Sequence, residues 1–280
     1  MKKFLVGLLF FVHIIAHADT FTISVPGYDA KVDEYKAKVD KRDVIVITLH
    51  GKEKGRKHEG NIAFARKLAK KGYTTYAPQM PWYDYSAPLS TAYIFLDALV
   101  KKVAVNGEKV VVAGHSQGAP YALFYTTDHK PPELVAGCVL LAPGHLIHRS
   151  PKIQRATADS VAHAKQLVNE GKGNEKHKFS DFNKGGNIGY KTITTTPSIY
   201  LSYFGLDTSP NFLRVITQAR LPLLWVDGKD DKLAKRMDYE EIYSTAHEHP
   251  QNEYSIVRGG HVSMWKPAAT PVIEWLQQFE

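Results

Sequence analysis

Lys109-Val110-Val111-Val112-Ala113-Gly114-His115-Ser116-Gln117-Gly118-Ala119-Pro120 holds a strand, a tight bend and a helix start in one short run. The valines read as a strand buried on both faces. Pro120 falls in the first turn of a following helix, where its missing N–H costs nothing. The pattern Gly-x-Ser-x-Gly would arise by chance in roughly one chain of this length in ten. Its place between a buried strand and a helix removes that explanation. A bend this sharp forces Ser116 into strained backbone geometry, and only flanking residues without Cβ let helix and strand approach closely. Ser116 is therefore the candidate nucleophile.

Outward from this bend, β-branched runs alternate with amphipathic stretches, the pattern of an α/β protein with a mostly parallel central sheet flanked by helices. Strands are predicted at Asp43–Leu49, Tyr73–Ala77, Lys109–Ala113, Leu134–Leu141, Leu221–Val226 and Glu253–Val257, with one or two antiparallel edge strands in 20–39. Helices are predicted around Ile62–Ala69, from Leu89 to Val105 with Ser90 as N-cap, after Ser116, and from Pro271 to the end. The strands at Leu134–Leu141 and Leu221–Val226 lie much further apart than one crossover helix needs. The expected organisation is a core of 19–145 and 219–280 with a cap over the sheet's carboxyl edge at 146–218.

Residues 1–18 pair Lys2 and Lys3 with an apolar run and end Ala16-His17-Ala18, the features of a cleaved signal peptide, so an exported, periplasmic or secreted protein is expected. No later run is long and apolar enough to predict stable membrane insertion. Cys138 is the single cysteine. It excludes an intramolecular disulfide and, from its apolar neighbours, reads as a small buried hydrophobe. The formal charge is +8, concentrated in part at 146–184, yet no pattern of nucleic-acid recognition accompanies it. His247-Glu248-His249 lacks metal-ligand spacing, and neither a cofactor motif nor a metal site is predicted.

Three further motifs follow in chain order: His50-Gly51-Lys52 after the first buried strand, Asp227-Gly228-Lys229-Asp230-Asp231 after a Leu-rich one, and Gly259-Gly260-His261 after the last. With Ser116 they resemble the α/β-hydrolase superfamily over residues 43–145 and 219–280, in its order of nucleophile, acid, histidine. The resemblance implies a Ser116, Asp231 and His261 triad, with Asp230 as the alternative acid. It also implies an oxyanion hole from the backbone N–H of Gln117 and of Lys52, or else of Gly51. The HGGG run of the esterase and lipase branch is absent.

The chemistry so implied is hydrolysis of a small or medium carboxylic ester through an acyl-enzyme. Amide or peptide cleavage on the same triad, or a non-catalytic binding protein of this fold, are the alternatives. His50, His115, Trp82 and Tyr203 are candidate pocket residues, with a ring packed under the loop as the other reading of His50. Lys52, Lys54, Arg56 and Lys57 beside the turn predict an entrance that favours anionic substrates. Oligomeric state leaves no signal in the chain.

Overall fold

All six residues of the strand Val44–Leu49 are buried, because the core lies on both of its faces. Ile45, Ile47 and Leu49 join one apolar cluster and Val44 and Val46 another, the alternation that a pleated strand imposes. A computed structural model describes residues 18–52, 55–182 and 191–280. Its main sheet contains β1 (Asp19–Val25), β2 (Tyr28–Tyr35), β3 (Val44–Leu49), β4 (Thr75–Pro78), β5 (Lys109–His115) and β6 (Val135–Leu141). A hairpin of β7 (His177–Asp181) and β8 (Lys191–Thr195) stands apart, and β9 (Leu223–Gly228) and β10 (Glu253–Val257) complete the main sheet. The strand order is β1-β2-β4-β3-β5-β6-β9-β10. The pairs β1/β2 and β2/β4 are antiparallel; all the others are parallel.

Helices α1 (Glu59–Ala69) and α9 (Trp265–Leu276) cover the face of Val44 and Val46, with Phe64, Leu68, Trp265 and Val272 in that cluster. Helices α2 (Leu89–Val103) and α3 (Gly118–Thr127) cover the other face, bringing Phe95, Leu99 and Leu123 against Ile45 and Ile47. From β3 the chain passes to β4 on one side and returns to β5 on the other. The loops leaving β3 and β5 therefore diverge and open a crevice at the carboxyl edge, where ligands of open α/β sheets bind. Leu49 pairs with Gly114, which sets the turns His50-Gly51-Lys52 and His115-Ser116-Gln117 level with each other across that crevice.

Between β6 and β9 lie α4 (Pro151–Asn169), the β7/β8 hairpin, α5 (Pro197–Phe204) and α6 (Phe212–Ile216). Ser150, Thr196 and Asn211 cap the three helices by accepting the N–H of Ile153, Ile199 and Leu213. Phe179, Tyr200 and Phe204 stack at centroid distances of 4.5 and 4.5 Å. They join the same apolar cluster as Leu96 and Tyr121, so this segment packs onto the core.

Strand ends shift by one or two residues from expectation, α2 ends at Val103, and two helix starts move. Helix α2 has Pro88, not Ser90, at its N-cap position and no side-chain cap; proline's fixed φ orients the entry without one. Helix α9 begins at Trp265, with Pro271 inside it. Burial of Trp265, Ala268, Ala269 and Val272 on one face outweighs the roughly 3 kcal/mol that an interior proline costs. The edge strands expected in 20–39 are β1 and β2. Cys138 is buried and free, and burial pushes its thiol up to about 12. Nearly all of the leader-like segment, and Lys54, lie outside the described residues, among which no helix is long and apolar enough to cross a membrane.

The turn between β5 and α3 leaves no room for a methyl group. A Cβ on Gly114 would lie 2.1 Å from the Gly118 carbonyl oxygen, and one on Gly118 would lie 2.5 Å from that of Leu49. Backbone lies on both sides and neither can yield. Gly114→Ala is expected to lower stability by about 3 kcal/mol, the upper end of overpacking costs, measured as a fall in the urea unfolding midpoint.

Candidate active site

Ser116 adopts φ +52°, a left-handed conformation that costs a non-glycine residue roughly 1–2 kcal/mol. Three backbone bonds hold it there. Its N–H donates to the Leu141 carbonyl at 3.0 Å, and its own carbonyl accepts from Ala119 at 3.1 Å and Gly144 at 2.9 Å. Gly144 is itself constrained, since a Cβ there would stand 2.8 Å from Ser116 Oγ.

Two distant segments converge on this hydroxyl. The loop after β10 brings His261 Nε2 to 2.9 Å from Ser116 Oγ, and His261 Nδ1 lies 2.8 Å from Asp231 Oδ2. With Nδ1–H donating to Asp231, the Nε2 lone pair faces Ser116 and accepts its hydroxyl proton. Asp231 Oδ1 accepts the Leu233 N–H at 2.7 Å, where Asp231 caps α7 (Lys232–Met237). Burial raises the Asp231 carboxyl, but the hydrogen bond and charge of His261 outweigh it and hold the group below the usual range. Asp230 is exposed, and its N–H is taken by Gly259 at 3.0 Å. Of the two candidate acids, Asp231 meets the imidazole. Downstream, the Tyr239 hydroxyl of α8 (Tyr239–Ser244) donates to the Pro143 carbonyl, bracing the turn that carries Gly144.

The β3 turn faces Ser116 closely: a Cβ on Gly51 would lie 2.9 Å from Ser116 Cβ. Among the described residues the backbone N–H groups of Gly51, Lys52 and Gln117 donate to no backbone acceptor. His50 and Trp82, expected to line the pocket, lie behind this turn. His50 is fully buried, with Nδ1–H donating to the Gly51 carbonyl at 2.7 Å and Nε2 accepting the Met80 N–H at 2.9 Å. Trp82 Nε1 donates to the His50 carbonyl at 2.9 Å. Both side chains are consumed in fixing the turn.

Lys52 does not face the entrance with an unpaired charge, as the sequence suggested. Its ammonium is paired with Asp181 at the end of β7 and donates to the Phe182 carbonyl at 3.3 Å. Tyr85 donates to the other Asp181 oxygen at 3.0 Å. Burial raises the Asp181 carboxyl, yet Lys52 and His145 more than offset this and hold it low. Arg56 and Lys57 are paired with buried Asp33. These three charges are thus neutralised, because this turn and its flank pack against other elements.

A cleft of about 640 Å³ opens over Ser116, within the range of small-molecule sites. His115 lines it, as expected, and its Nε2 lies 2.7 Å from the His261 carbonyl, so it also braces that loop. Tyr203 lies outside it: fully buried, it donates its hydroxyl to the Ala87 carbonyl at 2.9 Å, and its backbone carbonyl accepts from His145 Nε2 at 3.0 Å. His145, Ile153, Phe182, Leu233, Met237 and Trp265 form much of the wall instead. Sequence reasoning missed them because they come from separate elements and form no local motif. Only Gly144-His145, just beyond the carboxyl end of a core strand, carried a positional signal.

Burial pushes His50 down to about 4, His145 to about 3, and His115 well below the ordinary 6.5. Each binds a proton more readily unfolded than folded. The stability this contributes is fully present above about pH 6.5 and is lost as pH falls toward the folded values. Asp227, raised to about 6 chiefly by burial, acts oppositely, its contribution being lost as pH rises through 6. Three groups outweigh one, so the urea midpoint is expected to fall steadily between about pH 6.5 and pH 4.5; an unchanged midpoint across that window contradicts the account.

The profile of the alpha/beta hydrolase fold family matches residues 44–268. A comparison with curated proteins gives no match. Among solved structures, the chain is similar to Est1E from Butyrivibrio proteoclasticus, with 14% identity, 93% of this chain and 98% of that one covered, and a TM-score of 0.62. It is similar to the alpha/beta hydrolase GrgF from Penicillium sp. sh18, with 15% identity, coverage of 93% and 96%, and a TM-score of 0.67. A monoacylglycerol lipase of Paleococcus ferrophilus gives 17% identity, coverage of 89% and 98%, and a TM-score of 0.63. At such identities these structures speak for the fold, and the family match spans most of the chain: the protein belongs to the α/β-hydrolase family.

Proposed function

We propose that this protein is a serine hydrolase that cleaves a carboxylic ester of small or medium size through an acyl-enzyme. The observation that carries this is the continuous chain from Ser116 Oγ through both nitrogens of His261 to Asp231, with links of 2.9 and 2.8 Å. Two of the folds it resembles belong to proteins titled an alpha/beta hydrolase and a monoacylglycerol lipase, which agrees with that chemistry.

Ser116 Oγ attacks the ester carbonyl carbon while its proton passes to His261 Nε2. Asp231 holds the ring and stabilises the imidazolium. Negative charge moves to the carbonyl oxygen, where the N–H groups of Gln117 and of Lys52 or Gly51 receive it; they have no backbone acceptor to surrender among the described residues. The tetrahedral species collapses, the C–O bond to the leaving group breaks, and His261 returns the proton to the departing alkoxide. Water then attacks the acyl carbon, giving its proton to His261, and Ser116 is regenerated as the acid leaves.

Ser116→Ala is expected to abolish both ester turnover and labelling by a fluorophosphonate, while the unfolding midpoint stays near that of the wild type. Asp231→Asn is expected to lower kcat by about 10³-fold or more, and Asp230→Asn by less than about threefold; the reverse ranking would make Asp230 the acid. Asp181 is assigned as a positioning residue, because its pair with Lys52 fixes the turn that donates to the oxyanion. Asp181→Asn is expected to reduce kcat about tenfold with little change in KM, a fraction of the ~100-fold cost of losing one oxyanion donor; a rise in KM alone would place Asp181 outside that role.

A further inference from the structure

The cleft carries charge that the triad does not use. Lys152 enters its wall from the first turn of α4, and Lys232 and Arg236 enter from α7. The latter two, four residues apart, project from one side of their helix. All three are exposed, and among the described residues none has an ion-pair partner. The acids on the same wall are Asp231, committed to His261 and the Leu233 N–H, and exposed Asp230. Three uncommitted cations therefore meet a single uncommitted carboxylate. The first turn of the long helix α4 holds no acidic residue, so its N-terminal dipole adds to the positive field. Ile153, Leu233, Met237 and Val262 lie on the same wall, an apolar stretch alongside these charges.

We propose, resting on the hydrolase reading above, that the ester taken by this site bears a carboxylate or phosphate at the end of a short apolar arm, held by Lys152, Lys232 and Arg236. An apolar arm fits the wall of Ile153, Leu233 and Met237, and the anion meets cations that have no competing partner among the described residues. The low-dielectric rim of the cleft focuses their field, so the attraction appears in kcat/KM and weakens as salt screens it.

The test compares para-nitrophenyl butyrate with its near-isostere para-nitrophenyl hemisuccinate, which places a carboxylate on the acyl arm. A second pair, phenyl butyrate and para-carboxyphenyl butyrate, places it on the leaving group. For at least one pair, kcat/KM for the anionic member is expected to exceed that of the neutral one about tenfold in ~20 mM NaCl and to fall about fivefold or more by ~500 mM, with the neutral ester flat. The responding pair identifies the arm that carries the charge. In K232M/R236M the anionic-to-neutral ratio is expected to drop at least about fivefold, whereas K235M, on the same helix outside the cleft, keeps the wild-type ratio. Ratios near one with equal salt responses in both pairs overturn the proposal, as does a ratio that survives K232M/R236M. Absence of turnover for every ester together with no fluorophosphonate labelling of Ser116 overturns the hydrolase reading instead.

Discussion

The closeness of three backbone segments at the carboxyl edge of β3 and β5 governs the rest of the molecule. Gly114 meets the Gly118 carbonyl, Gly118 meets the Leu49 and His50 carbonyls, and Gly51 meets Ser116. None of these approaches survives a side chain. The contact drives Ser116 to φ +52° and raises its hydroxyl above the sheet. Strain at a functional position persists only where its surroundings over-determine it. Here they do: Leu141, Ala119 and Gly144 hold the serine backbone, and Tyr239 braces the turn of Gly144 from behind through Pro143.

A second layer of polar contacts holds the facing turn. His50 is spent on the Gly51 carbonyl and the Met80 N–H, Trp82 on the His50 carbonyl, and Lys52 on Asp181. The buried ion pair has the larger consequence, because it ties the β3 turn to the hairpin between β6 and β9. Removing one member of such a pair leaves a poorly solvated charge, so the segment between β6 and β9 and the β3 turn are mechanically linked. His115 does the same for the imidazole loop, reaching the His261 carbonyl at 2.7 Å. Burial keeps these supporting histidines neutral, with the lone pairs and N–H groups that their bonds require.

Charge near the site is thereby divided into two populations. Lys52, Arg56 and Lys57 are absorbed by Asp181 and Asp33, while Lys152, Lys232 and Arg236 face the cleft with no ion-pair partner among the described residues. Lys52, Arg56 and Lys57, conspicuous beside the β3 turn in the sequence, are structural. Those that face the cleft come from α4 and α7, and their grouping arises only on folding.

The strands β3, β5, β6 and β9 were legible in the sequence because burial on both faces demands continuous apolar runs. The bend at Ser116 was legible because a strained turn needs glycines at fixed offsets. Asp231 and His261 were named from the resemblance of their loops, and of their order in the chain, to the α/β-hydrolase pattern. The start of α9 was not legible: Pro271 signals a boundary locally, and only the burial of Trp265 and its face against the sheet carries the helix through it. Nor were the roles of Trp82, Tyr203, Lys52 and His145, whose partners lie from 32 to 130 residues away. Local backbone demands are written into adjacent residues, so the chain alone determined the sheet and the bend that carries Ser116. Which side chains line the cleft and which cations remain unpaired depends on contacts between distant segments, and those the tertiary structure decided.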